Sequence, residues 1–207
     1  MTNNFMNRYI TNYTNNNITN HKQIKKAEKY TTTKNDTLFW CIYNIIYPNN
    51  IINNFFIEEK KIKFKWMEMI KQDKKLYKKY ILIQPFLICH NKINIQTVDA
   101  ICHLFNISII FINDNTYIYF NESTVKPIFI KCVDNNYIVL KDETYENISN
   151  NYLCIEDYSK LIYAISKYKL PDLKLMALKL CVDVTNKKKK EIYEHIKNKL
   201  KLIYLKI

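Results

Sequence analysis

Glycine is absent from this chain of 207 residues. Average usage of about 7% would place roughly 14 in a chain of this length. The absence excludes every glycine-dependent phosphate loop, so neither a Walker motif nor a dinucleotide-binding fingerprint can exist. It also leaves Asn and Asp to fill positions that need positive φ, because these residues tolerate the left-handed region best after glycine. The pairs Asn49-Asn50, Asn53-Asn54, Asn135-Asn136 and Asn150-Asn151 are therefore turn candidates. Arginine is almost missing too: of 32 basic residues only Arg8 is Arg, and the rest are Lys. No CxxC pair occurs among the six cysteines, which speaks against a zinc ribbon or a thioredoxin-type site. No apolar run approaches the roughly 18 residues of a membrane span, and residues 1–30 contain no apolar signal core. These absences lead us to expect a reducing intracellular compartment, free thiols and no membrane partner.

What is abundant is Asn, Ile, Lys, Tyr and Phe, the residues with AT-rich codons, which points to an AT-biased genome. That bias bears on the net charge of +13. Such a charge ordinarily indicates a polyanion partner, but codon bias alone can supply lysines, so clustering carries more information than count. Apolar residues make up 48% and charged residues 25% of the chain, enough for a buried core.

Along the chain, residues 1–30 read as a polar Asn-rich tail. An α+β domain follows over 31–155 and a helical region over 156–207. Thr37 to Tyr47 reads as a short buried helix capped by Asp36 or Thr37 and ended by Pro48. Ile57 to Tyr80 reads as one long Lys/Glu-rich helix, with Ile62, Trp66, Met69, Ile70, Tyr77 and Tyr80 on one face and its lysines mostly outward. Asn94 caps a helix carrying Ile95, Val98, Ile101, Cys102 and Phe105. Four strands follow, at 107–112, 117–120, 128–132 and 137–140, separated by Asn-Asp turns, which predicts successive hairpins and an antiparallel sheet. A further helix is expected from Glu156 to Tyr168 with Tyr158, Leu161, Ile162 and Ile165 buried.

Residues 170–205 carry the clearest functional signal. Pro171 suits a first helical turn, and Leu173, Met176, Ala177 and Leu180 form a stripe. Val182 and Val184 make an extended link. Lys187 to Lys190 then open a second helix with the stripe Ile192, Tyr193, Ile196 and Leu200. Four consecutive lysines at a helix N-terminus repel one another and oppose the helix dipole, two costs that a phosphate backbone relieves. This unit resembles the SAP motif, a helix–link–helix DNA-binding module, except that Thr185 or Asn186 stands where a glycine is usual. The resemblance implies a DNA or other nucleic-acid partner and contacts from Lys174, Lys187, Lys188, Lys189, Lys190 and Lys197.

The second signal is the run Asp36-Thr37-Leu38-Phe39-Trp40-Cys41. A Cys near a helix N-terminus has a stabilised thiolate. The run, with the helix and strands that follow, resembles papain-like and OTU-like cysteine proteases. It is also similar to proteins of large DNA viruses, some of which pair it with a C-terminal SAP-like unit. The resemblance implies a giant-virus protein of the host cytoplasm, virus factory or virion. Cys41 is then the candidate nucleophile, with Asp36, His90 or His103 as partners and ubiquitin among the substrates if the enzyme is active. A Cys nucleophile needs a base, usually His. The place where OTU-like enzymes carry it corresponds to Asn136-Tyr137, so the domain is expected to be degenerate. Cys89-His90 and Cys102-His103 match no zinc spacing, and no metal or cofactor is expected. The leading expectation is a non-enzymatic nucleic-acid-associated protein. The alternatives are an active OTU-like cysteine protease or deubiquitinase, and a structural virion or scaffold protein whose basic surface packs against the genome.

Overall fold

The computed structural model describes residues 36–122 and 126–204. The tail expected over 1–30 lies outside the described residues. The class is α+β: helices precede and follow a five-stranded sheet.

Helix α1, Thr37–Ile46, begins where Asp36 caps it, the carboxylate accepting from Phe39 N at 3.0 Å. Thr37 to Tyr43 are buried all round, which is why no polar face interrupts the sequence. Helix α2, Phe55–Gln72, is capped by Asn54. The single helix expected over 57–80 is two. Asp73 adopts φ −89° and ψ 100°, and its carboxylate accepts from Lys75 N and Leu76 N, so it ends α2 and caps α3, Lys74–Lys79. A side chain that bonds nearby backbone competes with helix continuation, and here it wins. A 3₁₀ turn, Ile81–Ile83, leads into α4, Gln84–Ile88. Helix α5, Ile95–Phe105, has the Asn94 cap expected and closes on Asn106 at φ 49°, an Asn in the place glycine usually takes.

The strands are β1 (Ile109–Asn113), β2 (Thr116–Phe120), β3 (Ile128–Val133), β4 (Asn136–Leu140) and β5 (Leu153–Cys154), in the order β4-β3-β1-β2-β5. Both expected hairpins, β1/β2 and β3/β4, are present and antiparallel. The sheet as a whole is mixed rather than antiparallel, because β1 pairs β3 in parallel and β2 pairs β5 in parallel. The β3/β4 turn places Asp134 and Asn135 at φ 51° and 59°, the two positive angles of a tight I′ turn made without glycine. β1 is central and wholly buried, which accounts for its unbroken apolar run. Alternation sends Ile109, Phe111, Ile118, Phe120 and Ile130 into the main core. Ile110, Ile112, Tyr117 and Phe129 enter a smaller core with Ile148 of α6, Tyr145–Asn151.

The helix expected over 156–168 does not form. Asp157 accepts from Ser159 N and Ser159 Oγ, Tyr163 N donates to the Tyr168 hydroxyl, and only a 3₁₀ turn, Ile165–Lys167, is regular. Tyr158, Leu161 and Ile162 are half-buried against the main core, while Ile165, expected to be buried with them, is half-buried without joining that core, so the stripe was legible only in part. Helices α7, Leu170–Lys179, and α8, Lys189–Tyr204, follow. Their buried residues Leu173, Ala177, Leu180, Ile192, Ile196, Leu200 and Ile203 belong to the same core as α1, α2 and the sheet. Asn113 Nδ2 donates to Ile203 O at 3.2 Å, and Lys179 Nζ caps α6 through Ser149 O at 2.7 Å and Tyr152 O at 3.1 Å.

Candidate functional site

The α7–link–α8 hairpin is built from two stripes that meet. The link leaves α7 through Cys181 at φ 54°, with Val182 N returning to Ala177 O at 2.8 Å. It then turns at Asn186, φ 56°. Asn186, one of the two residues that stand where the SAP resemblance calls for a glycine, thus holds the left-handed region. Between these points Asp183 accepts from Thr185 N and Thr185 Oγ1. Those bonds, with Lys187 adding, hold its carboxyl below the usual range.

The lysines at this end are not equivalent. Lys187 Nζ is engaged by Asp183 O at 2.7 Å and by the Asp183 carboxylate at 3.6 Å. Lys197 lies 3.9 Å from Glu194 and over the Tyr193 ring. Lys188 and Lys190, at the start of α8, and Lys174 on α7 are exposed, and Lys189 is partly so. Among the described residues no carboxylate lies within 4.0 Å of the ammonium group of any of these four. Glu191 reaches back to accept from Lys188 N at 2.7 Å, so the first turn of α8 has one acid to suit its dipole. The lysines therefore oppose that dipole less than their sequence alone suggests.

The Cys41 region is differently made. Cys41 is the fifth residue of α1, beyond the first turn to which dipole stabilisation is confined. It is fully buried, and its thiol donates to Tyr137 O of β4 at 3.2 Å. The strand position where a histidine was wanted does lie against α1, with Asn136 and Tyr137 on it. Asp36 is occupied structurally: besides capping α1 it accepts from Lys63 Nζ at 2.7 Å and Ile93 N at 2.7 Å.

The histidines have partners of their own. The His90 ring stacks on Phe86 at 4.6 Å. His103 Nε2 lies 3.2 Å from Lys79 Nζ and 3.5 Å from Asp99. Asp99 in turn accepts from the Tyr80 and Tyr158 hydroxyls at 2.8 and 3.0 Å. Burial and then Lys79 lower the pKa of His103 from its ordinary value, outweighing Asp99. A depressed His pKa favours the neutral ring in the folded state, so this contribution to stability is present above pH 6.5 and is lost as pH falls below it.

Sequence reasoning missed Lys63. A Glu59–Lys63 pair at i,i+4 reads as a solvated surface pair. Instead Lys63 is buried on the Trp66 side of α2, and its ammonium donates to Asp36, to Glu59 at 2.8 Å and to Asn91 O at 3.4 Å. Trp40 Nε1 donates to the same Glu59 at 2.9 Å. Trp40, Glu59, Lys63 and Asn91 of this network line the floor of a cleft of about 140 Å³ between α2 and α4. Among the described residues no group of His, Cys, Asp or Glu is placed to hold a metal ion, and no helix is long and apolar enough to cross a membrane. Compared with family models, curated proteins and solved structures, the chain gives no match.

Proposed function

We propose that this is a nucleic-acid-associated protein that grips the phosphate backbone, most naturally of DNA, with the basic end of its α7–link–α8 hairpin. In this reading the hairpin is a SAP-like unit carried on a degenerate papain- or OTU-like domain of giant-virus type. One observation carries it: Lys174, Lys188, Lys189 and Lys190 stand at the N-terminal end of α8 or on its partner helix, and among the described residues no carboxylate lies within 4.0 Å of their ammonium groups. Surface lysines ordinarily sit among acids, as Lys61, Lys71 and Lys199 do here. Lysines without them beside a helix N-terminus offer both charge and N–H donors to a phosphate. The left-handed Asn186 supports the resemblance by answering its one departure.

Such contacts position a protein without reading bases, and they weaken with salt. The test is duplex-DNA binding by the intact chain across a salt series, for wild type and for a variant with Lys187 to Lys190 all changed to Gln. The log–log salt slope should fall by about one unit for each lost contact, about three if Lys188, Lys189 and Lys190 each touch a phosphate. Stability should move by less than about 0.5 kcal/mol, because these are surface changes. Affinity should drop equally for unrelated sequences. Wild-type binding by the variant at moderate salt would show that the lysines are a solvated face.

A further inference from the structure

The cleft between α2 and α4 has the features of a binding site that the hairpin does not explain. Its polar lining includes Lys63, which is buried, and Glu59, which is half-buried. Lys63 spends its three donors on Asp36, Glu59 and Asn91 O, so the ammonium is saturated. The Glu59 carboxylate is not: Oε1 accepts from Lys63 at 2.8 Å and Oε2 from Trp40 at 2.9 Å, and each oxygen has a lone pair to spare. The rim is aromatic and cationic. Phe56 is 61% exposed with Lys60 Nζ 4.4 Å from its ring centre, and His90 is exposed while stacked on Phe86.

Size selects the ligand. At about 140 Å³ the cleft is well under the roughly 300–1,000 Å³ of pockets that enclose whole small molecules. It has room for one ring whose remainder stays outside, which is how a residue of a polymer is held. Every nucleobase offers at least one N–H on its Watson–Crick edge for a carboxylate acceptor, and a π-face for Phe56 and His90. A phenyl side chain offers the face alone. A cationic rim suits the phosphate attached to a base and disfavours a cationic ligand.

We infer that this cleft receives one unpaired nucleobase, its edge on Glu59 and its face against Phe56 and His90, so that the chain also holds single-stranded nucleic acid. The inference rests on the reading of the chain as nucleic-acid-associated but uses none of the hairpin lysines. Stacking of one base is sequence-tolerant and requires an unpaired strand.

The experiment compares a short labelled single strand with the duplex of the same sequence, by anisotropy and by the fluorescence of Trp40 on the cleft floor. The proteins are wild type, the double variant Phe56→Ala, His90→Ala, and the Lys187–Lys190 glutamine variant. Both cleft residues are exposed, so the double variant should melt with the wild type. It should bind the single strand about fivefold to a hundredfold more weakly, the worth of one stacked base. Its duplex affinity should be unchanged, and the strand-induced change in fluorescence should be lost. The glutamine variant should keep that fluorescence change at low salt, so failure of the hairpin reading and failure of the cleft reading are told apart. Equal losses for both nucleic acids, or no loss for the single strand, overturn the inference. So does a phenylalanine-containing peptide that binds through Phe56 and His90 where the strand does not, which would make the cleft a protein-docking pocket.

Discussion

An ammonium buried between two carboxylates cannot be removed without stranding the charges that face it. Lys63 and Asp36 are 3% and 1% exposed, and Glu59 completes the group. Changing Lys63 to Ala leaves Asp36 buried without its counter-ion, a class of change that costs about 3–5 kcal/mol. Changing Glu59 to Gln keeps the Asp36–Lys63 pair and should cost clearly less. Urea unfolding of the two variants gives the comparison, and equal costs would show that the network is solvated.

The cysteines divide in the same way, by burial. Cys89, Cys154 and Cys181 are exposed, and Cys41 and Cys102 are buried. Desolvation, with Asp99 adding, pushes the Cys102 thiol well above its ordinary range. Iodoacetamide should therefore modify the three exposed thiols first in the native protein, and Cys41 only after denaturation, as mass spectrometry of digests can follow. Rapid native modification of Cys41 at neutral pH would mean that its sulfur reaches solvent, and the nucleophile reading would regain its physical basis.

At the scale of elements, the backbone tells where glycine is missed. Cys181 ends α7 at φ 54°, a conformation that costs an L-residue other than Gly roughly 1–2 kcal/mol. Cys181→Gly removes that strain but frees the unfolded chain by about 0.4–1 kcal/mol, so a net gain of up to about 1.6 kcal/mol is expected, read as a raised thermal midpoint. A fall would mean that the Asn115 Nδ2 contact to the sulfur, at 3.5 Å, outweighs the backbone. Elements were legible where local chemistry marks their ends. Asp36 and Asn94 cap α1 and α5 as the sequence suggests, and the Asp134-Asn135 turn joins its hairpin. They were illegible where a side chain diverts the backbone without disturbing the apolar period. Asp73 breaks a helix whose stripe runs on in phase, and Asp157 with Tyr168 replaces a helix whose half-buried residues keep helical spacing. The parallel β1/β3 pairing joins strands that are not neighbours in sequence, for which no local signal exists. The same division holds for the sites. Lysines clustered in sequence were visible, whereas the cleft depends on α2 meeting α4 and on one lysine of many facing inward.

At the scale of the molecule, the basic hairpin and the rest of the chain are one folding problem. Leu170 to Tyr204 span about 35 residues, short of the roughly 40 below which a chain rarely folds without a metal, disulfides or a partner. The apolar stripes of α7 and α8 meet each other and also close the core above the sheet. The seam is tied by Asn113 to Ile203 O, by Thr116 to the Tyr204 hydroxyl at 3.1 Å and by Lys199 to Asp114 at 3.3 Å. Ending the chain after Lys169 removes seven fully or nearly fully buried side chains, from Leu173 to Ile203. Each of the six large ones is worth about 1.5–3 kcal/mol of burial, so their sum is as large as the about 5–15 kcal/mol by which a domain is ordinarily stable. The truncated protein should therefore lose its cooperative melting transition, and an isolated 170–207 peptide should show little helix by circular dichroism. Two independent transitions, each preserved in its own fragment, would show instead that the hairpin is a separate module and that the shared core contributes little.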